Sequence, residues 1–160
     1  QETDPRLWKE EGAFVTLRKN GQLRGCIGQI LPRGPLYLTV RDMAISAATQ
    51  DSRFSPVTKD ELKAIEVEVS VLSKPEVIRD VDQIRMGRHG VVMSRPDNGR
   101  LGVRGVFLPQ VAVETGWTKE EFLSQLCSQK AELPQDCWRD PETRIEIFTA
   151  EVFSEKDIAP

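Results

Sequence analysis

The chain has 160 residues, 39% hydrophobic and 29% charged, which is the make-up and length of one soluble globular domain. Lys and Arg number 22 against 25 Asp and Glu, so the formal net charge is −3 and the isoelectric point about 5.3, and nucleic acid is the least favoured class of partner. The longest apolar runs, such as Val91 to Met93, fall far short of the roughly 20 residues that span a bilayer, so no membrane span is expected.

Ala13 to Arg18 and Leu23 to Ile27 are strand-like runs on either side of Asn20-Gly21, a strong hairpin signal. Pro35 opens a predicted helix from Leu36 to about Gln50, whose Leu36, Val40, Met43, Ala44, Ala47 and Ala48 form an apolar stripe meant for a sheet. Thr58 to Glu61 fits a capping box at the start of a short helix. Glu66 to Leu72 then alternates Val67, Val69 and Val71 with Glu66, Glu68 and Ser70, as a half-buried strand does. Gly90 to Ser94 and Leu101 to Leu108 flank Pro96-Asp97-Asn98-Gly99 and read as a second hairpin. A second capping box, Thr118 to Glu121, launches an amphipathic helix to about Lys130 with Cys127 on its core side, and Arg144 to Phe153 is the final strand. Strands with interspersed helices and hairpins predict an α+β fold with an antiparallel or mixed β-sheet flanked by helices.

No repeat or linker divides the sequence, so residues 1–160 are read as a single domain. Opening on Gln1 and not on Met, the chain is expected to be processed or excised from something longer. Cys26, Cys127 and Cys137 are widely spread with no Cys-x-x-Cys, which predicts free thiols and a reducing, cytoplasmic setting. With one histidine, no paired metal-ligand spacing and no phosphate-loop, dinucleotide or nucleophile-elbow signature, neither a metal nor a cofactor is expected.

Leu23-Arg24-Gly25-Cys26-Ile27-Gly28 is the most unusual stretch, because Gly25 and Gly28 weaken a strand unless something must approach the backbone closely. In a regular strand Arg24 and Cys26 share one face, with Leu23 and Ile27 on the core face, and a guanidinium beside a thiol favours the nucleophilic thiolate. The other reading makes Cys26 a small buried hydrophobe and the glycines sites of a bulge or close packing. Arg53, in the loop Asp51 to Pro56, is either an anion-binding fork or a tie that holds its own loop. Glu68 is a candidate proton carrier and Ser70 a hydrogen-bonding neighbour, against the plainer reading of a solvated strand face. His89, at the mouth of the second hairpin, titrates near neutrality and is either a proton carrier or a polar surface residue.

The Leu-Arg-Gly-Cys-Ile-Gly hexapeptide at Leu23 to Gly28 resembles the hallmark of the AMMECR domain family. Gly12 to Leu17, Asp51 to Pro56, Glu68 to Ser73, His89-Gly90, Leu108 to Val111 and Phe122-Leu123 resemble it in order and spacing, nearly end to end. The chain departs from the family in carrying Lys130-Ala131-Glu132-Leu133 where Lys-Ala-Gly-Leu is common, and in lacking an upstream helical segment. The resemblance implies two subdomains with a cleft between them lined by the hexapeptide. It also implies company with a Memo-like protein and a radical SAM protein. The leading expectation is an enzyme or enzyme component that takes a small anionic ligand or a modified protein segment in that cleft. Arg24 and Arg53 would hold the anion, Cys26 would serve as nucleophile or thiol ligand, and Glu68 or His89 would carry a proton. The alternative is a non-catalytic adaptor that docks the Memo-like or radical SAM partner.

Overall fold

In the computed structural model, which describes residues 4–96, 102 and 104–158, the first hairpin forms as expected. Strands β1 (Gly12–Lys19) and β2 (Gln22–Gln29) pair antiparallel around Asn20 and Gly21, both at positive φ (53° and 78°), as a tight right-twisted hairpin turn requires. Helix α1 (Leu36–Thr49) follows, and β3 (Ile65–Leu72) adds to the other side of β1, so that β1 is central and β2 lies at the edge. Period-two alternation sends Val15 and Leu17 of β1 and Val69 of β3 to one face. There they meet Ala47 on α1, flanked by Ile27, Val40, Met43 and Ala44. Each large apolar side chain so buried contributes about 1.5–3 kcal/mol, which is what holds the helix on the sheet. A Cβ at Gly25 would stand 2.2 Å from the Ala47 carbonyl oxygen, so glycine is what lets the backbone of α1 come down on β2.

The chain divides into two compact units, residues 1–74 with 151–160, and residues 75–150. In the second unit β4 (Glu76–Ile78), β5 (His89–Ser94), β6 (Arg104–Phe107) and the first part of β7 (Arg144–Ser154), up to residue 150, lie in the order β6-β5-β7-β4, antiparallel throughout. β5 and β6 form the expected second hairpin, whose tip at 97–101 lies outside the described residues. Helix α2 (Pro109–Thr115) begins on a proline whose missing N–H costs the first turn nothing. Helix α3 (Lys119–Gln125) starts at Thr118, whose hydroxyl accepts from the Glu121 amide at 3.3 Å while Glu121 accepts from the Thr118 amide at 2.8 Å. It runs on as a wider π-helical turn, Leu126–Lys130. Val91, Met93, Phe107, Phe122, Leu123, Leu126 and Ile145 form the core of this unit.

The cysteine expectation is corrected here. Cys127 and Cys137 are joined by a disulfide across 10 residues, against the Met93 side chain in the core. The π-helical turn carries Cys127 and the 3-10 turn Cys137–Arg139 carries its partner, and neither position forms a motif that spacing alone reveals. The last described element, α4 (Glu155–Ile158), returns to the first unit, where Glu155 accepts the Val67 amide at 3.2 Å and Lys156 meets Glu66 at 2.7 Å. Among the described residues no helix is long and apolar enough to cross a membrane. The architecture is α+β, as expected from the element pattern.

Candidate functional site

The hexapeptide lies on edge strand β2. Its regular alternation breaks where Leu17 pairs with Gly25 but Arg18 pairs with Leu23, leaving Arg24 as the extra residue of a β-bulge. The bulge corrects two expectations at once. Leu23 falls on the same side of the ladder as Cys26 and is 38% exposed, and Arg24 is diverted from Cys26. Its Nε and Nη2 donate to the two carboxylate oxygens of Glu61 at 3.1 Å each, and Nη1 donates to the Ser55 carbonyl at 2.9 Å. Lys19 donates to the same carboxylate at 2.9 Å, and so does the Thr58 amide, also at 2.9 Å. Glu61 thus serves its helix cap and two cations together, and these bonds hold its carboxyl well below the usual range. Arg24 is a clamp between β2 and the loop before β3.

Cys26 keeps the outward position that the pattern gave it. In the ladders it faces Thr16, and Thr16 faces Glu68, so the three form one row across β2, β1 and β3. The Thr16 hydroxyl donates to the Cys26 sulfur at 3.2 Å. Because β2 is an edge strand, the Cys26 amide has no strand to bond, and the Asp51 carboxylate takes it at 2.9 Å. Asp51 is only 7% exposed and stands directly after the C-cap of α1. It also accepts the Arg53 amide at 3.1 Å, an Asx-type turn, and both Nε and Nη2 of the Arg53 fork, at 2.9 and 2.7 Å. The Arg53 bonds and the Cys26 amide hold the Asp51 carboxyl well below the usual range, against the opposing effect of its burial.

Burial pushes the Cys26 thiol up from its ordinary value. The Thr16 hydroxyl and the Arg53 charge pull it down, and Asp51 and Glu68 add to the rise. The resting species near neutrality is the thiol, and the guanidinium acting on it is that of Arg53. Cys26 is half-buried and is the free cysteine of the chain.

In the next row Gly28 faces Phe14, which faces Ser70. The Phe14 ring occupies the space a side chain would need at Gly28, and Ser70 is 1% exposed. Glu68 is partly covered, 3.7 Å from Arg18. Arg24, Gly25, Cys26, Gly28, Arg53, Glu68 and Ser70 are all carried by the first unit. His89 belongs to the second, at the start of β5, where its Nδ1 accepts the Arg85 amide at 3.1 Å. Burial, then the charges of Arg88 and Arg85, push its pKa down, and a backbone hydrogen bond to Gln83 works the other way. No group of three or more His, Cys, Asp or Glu among the described residues could hold a metal.

Thr16, Asp51 and Glu61 were not singled out as site residues by the sequence reading. Asp51 carried a usable signal, since an Asp two residues before an Arg just past a helix end is an Asx-turn pattern. Glu61 was legible only as a cap, because its bond to Arg24 spans 37 positions.

A family model described as AMMECR1 matches residues 1–153. A protein of Methanothermobacter thermautotrophicus is 48% identical over 92% of this chain and 77% of its own length. One of Thermococcus gammatolerans is 45% identical over 98% of this chain and 78% of its own. The crystal structure of an uncharacterized protein from Pyrococcus horikoshii superimposes with a TM-score of 0.90 at 42% identity, covering 98% of this chain and 79% of that one.

Proposed function

The chain belongs to the AMMECR1 family, and from that premise we propose that its first unit binds a small anionic ligand at Arg53, beside the Cys26 thiol. The observation that carries this reading is the double use of Asp51, which fixes the Cys26 amide and the Arg53 fork with one buried carboxylate. Arg53 spends Nε and one Nη2 hydrogen on Asp51, and its side chain remains 47% exposed, so further donors on a rigidly held guanidinium face outward. Asp51 cancels much of the charge, so recognition rests on oriented hydrogen bonds more than on long-range attraction.

Thiol chemistry at this site starts from the protonated form. Glu68 lies two strands from Cys26, about 9 to 10 Å along the row, with Thr16 between them. A proton leaving Cys26 reaches Glu68 through the Thr16 hydroxyl, through the ligand itself or through water. Near neutrality Cys26 is then a hydrogen-bonding ligand first, and it becomes a nucleophile once its proton is taken up by a bound partner or by water.

Alkylation with a charged and a neutral reagent tests the reading. With Cys127 and Cys137 bonded to each other, the label reports on Cys26. The ratio of iodoacetate to iodoacetamide rates is expected to be several-fold higher in the wild type than in Arg53→Gln, and millimolar citrate should protect the wild type. An unchanged ratio with no protection overturns the proposal. Rates with both reagents should climb steeply only above about pH 8.5, the range of an unactivated thiol.

A further inference from the structure

We infer a second anion site, in the second unit: a phosphate-type dianion held between Arg85 and Arg88 in the hollow beside His89. The hollow has a volume of about 490 Å³ and is lined by Asp82, Gln83, Arg85, Arg88, His89 and Ile147. Its rim is a built turn. The Arg85 carbonyl accepts the amides of Arg88 and His89 at 3.1 and 2.9 Å, and the Arg85 amide donates back to His89 Nδ1 at 3.1 Å. Gly87, at φ 79°, supplies the left-handed step that lets the chain close this clasp. Ile84, 2% exposed, pins the segment to the core, and His89 continues into β5 opposite Thr149. Two guanidinium groups are therefore carried three residues apart on a turn with little freedom to lose on binding.

Charge selects the ligand class. Neither Arg85 nor Arg88 has a carboxylate partner among the described residues. Asp82, the acidic residue of the lining, has an 89% exposed side chain and lies 4.0 Å from Lys119. The neutral histidine leaves two positive charges against one negative. A larger cleft of the same unit, about 610 Å³, mixes Arg79, Arg139 and Arg144 with Asp80, Asp140 and Glu142, and its charges select nothing. Forked guanidinium groups match tetrahedral oxyanions, and the hollow has room for a phosphate monoester with a small organic part.

The single histidine makes the test direct, because its ring signals need no assignment among others. Inorganic phosphate added to the full chain at constant ionic strength, balanced with chloride, should shift the His89 ring resonances saturably and raise the pH at which the ring titrates. In the Arg85→Gln/Arg88→Gln double variant the affinity should fall at least tenfold, and in Arg85→Lys/Arg88→Lys, which keeps charge and fold but loses the fork, by less. Arg53→Gln should leave it unchanged. Glycerol phosphate run in parallel separates the sources: tighter binding than phosphate points to a monoester, equal binding to the free ion. A linear, unsaturated shift in the wild type overturns the site, and so does equal affinity in both double variants and the wild type.

Discussion

The Asp51 carboxylate accepts the backbone amide of Cys26 at 2.9 Å while its two oxygens hold the fork of Arg53 at 2.9 and 2.7 Å. One buried side chain thus closes the open edge of β2, terminates the loop after α1 and aims the exposed guanidinium. Asp51→Asn keeps the shape but sets an NH2 against one of the donors. Hydrogen bonds to a charged group are worth about 1.5–3 kcal/mol, and the half-exposed Arg53 is partly screened by water. The expected loss is about 2 kcal/mol, read as a lower urea midpoint at unchanged slope. A midpoint equal to that of the wild type would mean that the loop is held elsewhere.

Acid should expose the same bonds. Asp51 and Glu61 both have folded carboxyls held below the ordinary range by their cationic and amide partners. As pH falls, the unfolded chain therefore takes up protons before the folded one. Their contribution is fully present above the unfolded pKa values of about 4 and is lost as pH drops below them toward the folded values. His89 acts earlier with the same sign, since its folded pKa is pushed below 6.5 and the folded state resists protonation. Urea midpoints across pH should show a small decline below about 6.5, absent in His89→Gln, and a steep one below about 4, shallower in Asp51→Asn/Glu61→Gln. A wild-type midpoint level down to pH 3 would contradict the assignment.

The disulfide should act on the unfolded chain. Closing a loop of 10 residues between Cys127 and Cys137 removes denatured-state entropy worth about 2–3 kcal/mol. Reduction with a phosphine, or Cys137→Ala, is expected to lower the unfolding free energy by that amount, read as a lower urea midpoint, without abolishing the fold, because the surrounding core of Met93, Phe122 and Leu126 stays in place. Equal midpoints before and after reduction, with mass spectrometry confirming free thiols, would remove the bond from the account of stability.

Local signals were legible where short-range physics decides. Asn20-Gly21 announces its hairpin, the Val67/Val69/Val71 alternation its strand, and Thr118 with Glu121 its helix cap, because each needs partners only a few residues away. The same logic failed at β4, whose three residues are too few to show a period, and at α2, whose seven residues follow directly on a strand. It also failed at Arg24. A regular strand would have placed that guanidinium beside Cys26, but a one-residue bulge and a carboxylate 37 positions away turned it aside. The Cys127–Cys137 bond escaped for a related reason: a π-helical turn and a 3-10 turn bring the two sulfurs together, and neither is written in the spacing. The hexapeptide lies on a strand, as its pattern predicts, while the carboxylate that takes its Cys26 amide, Asp51, comes from just beyond the far end of α1.

Glu132, where the family resemblance leads one to expect glycine, takes a backbone conformation that favours that residue. It sits at φ 53°, in the left-handed region, directly after the π-helical turn. The chain reverses there so that the Leu133 amide bonds the Cys127 carbonyl at 2.9 Å and the Ala131 amide the Leu126 carbonyl at 3.0 Å. These bonds satisfy the last carbonyls of the helix, as a left-handed residue at a helix end typically allows. A residue with a Cβ meets its own carbonyl in this conformation at a cost of about 1–2 kcal/mol, part of which glycine returns as extra freedom in the unfolded chain. The Glu132 side chain is exposed and has no ion pair among the described residues, so little else is lost on replacing it. Glu132→Gly is therefore expected to stabilise the protein by about 0.5–1 kcal/mol, and Glu132→Ala, which keeps the Cβ, to give no comparable gain. Thermal melts of both variants decide it: equal shifts for Gly and Ala would assign the effect to the lost carboxylate, not to the backbone.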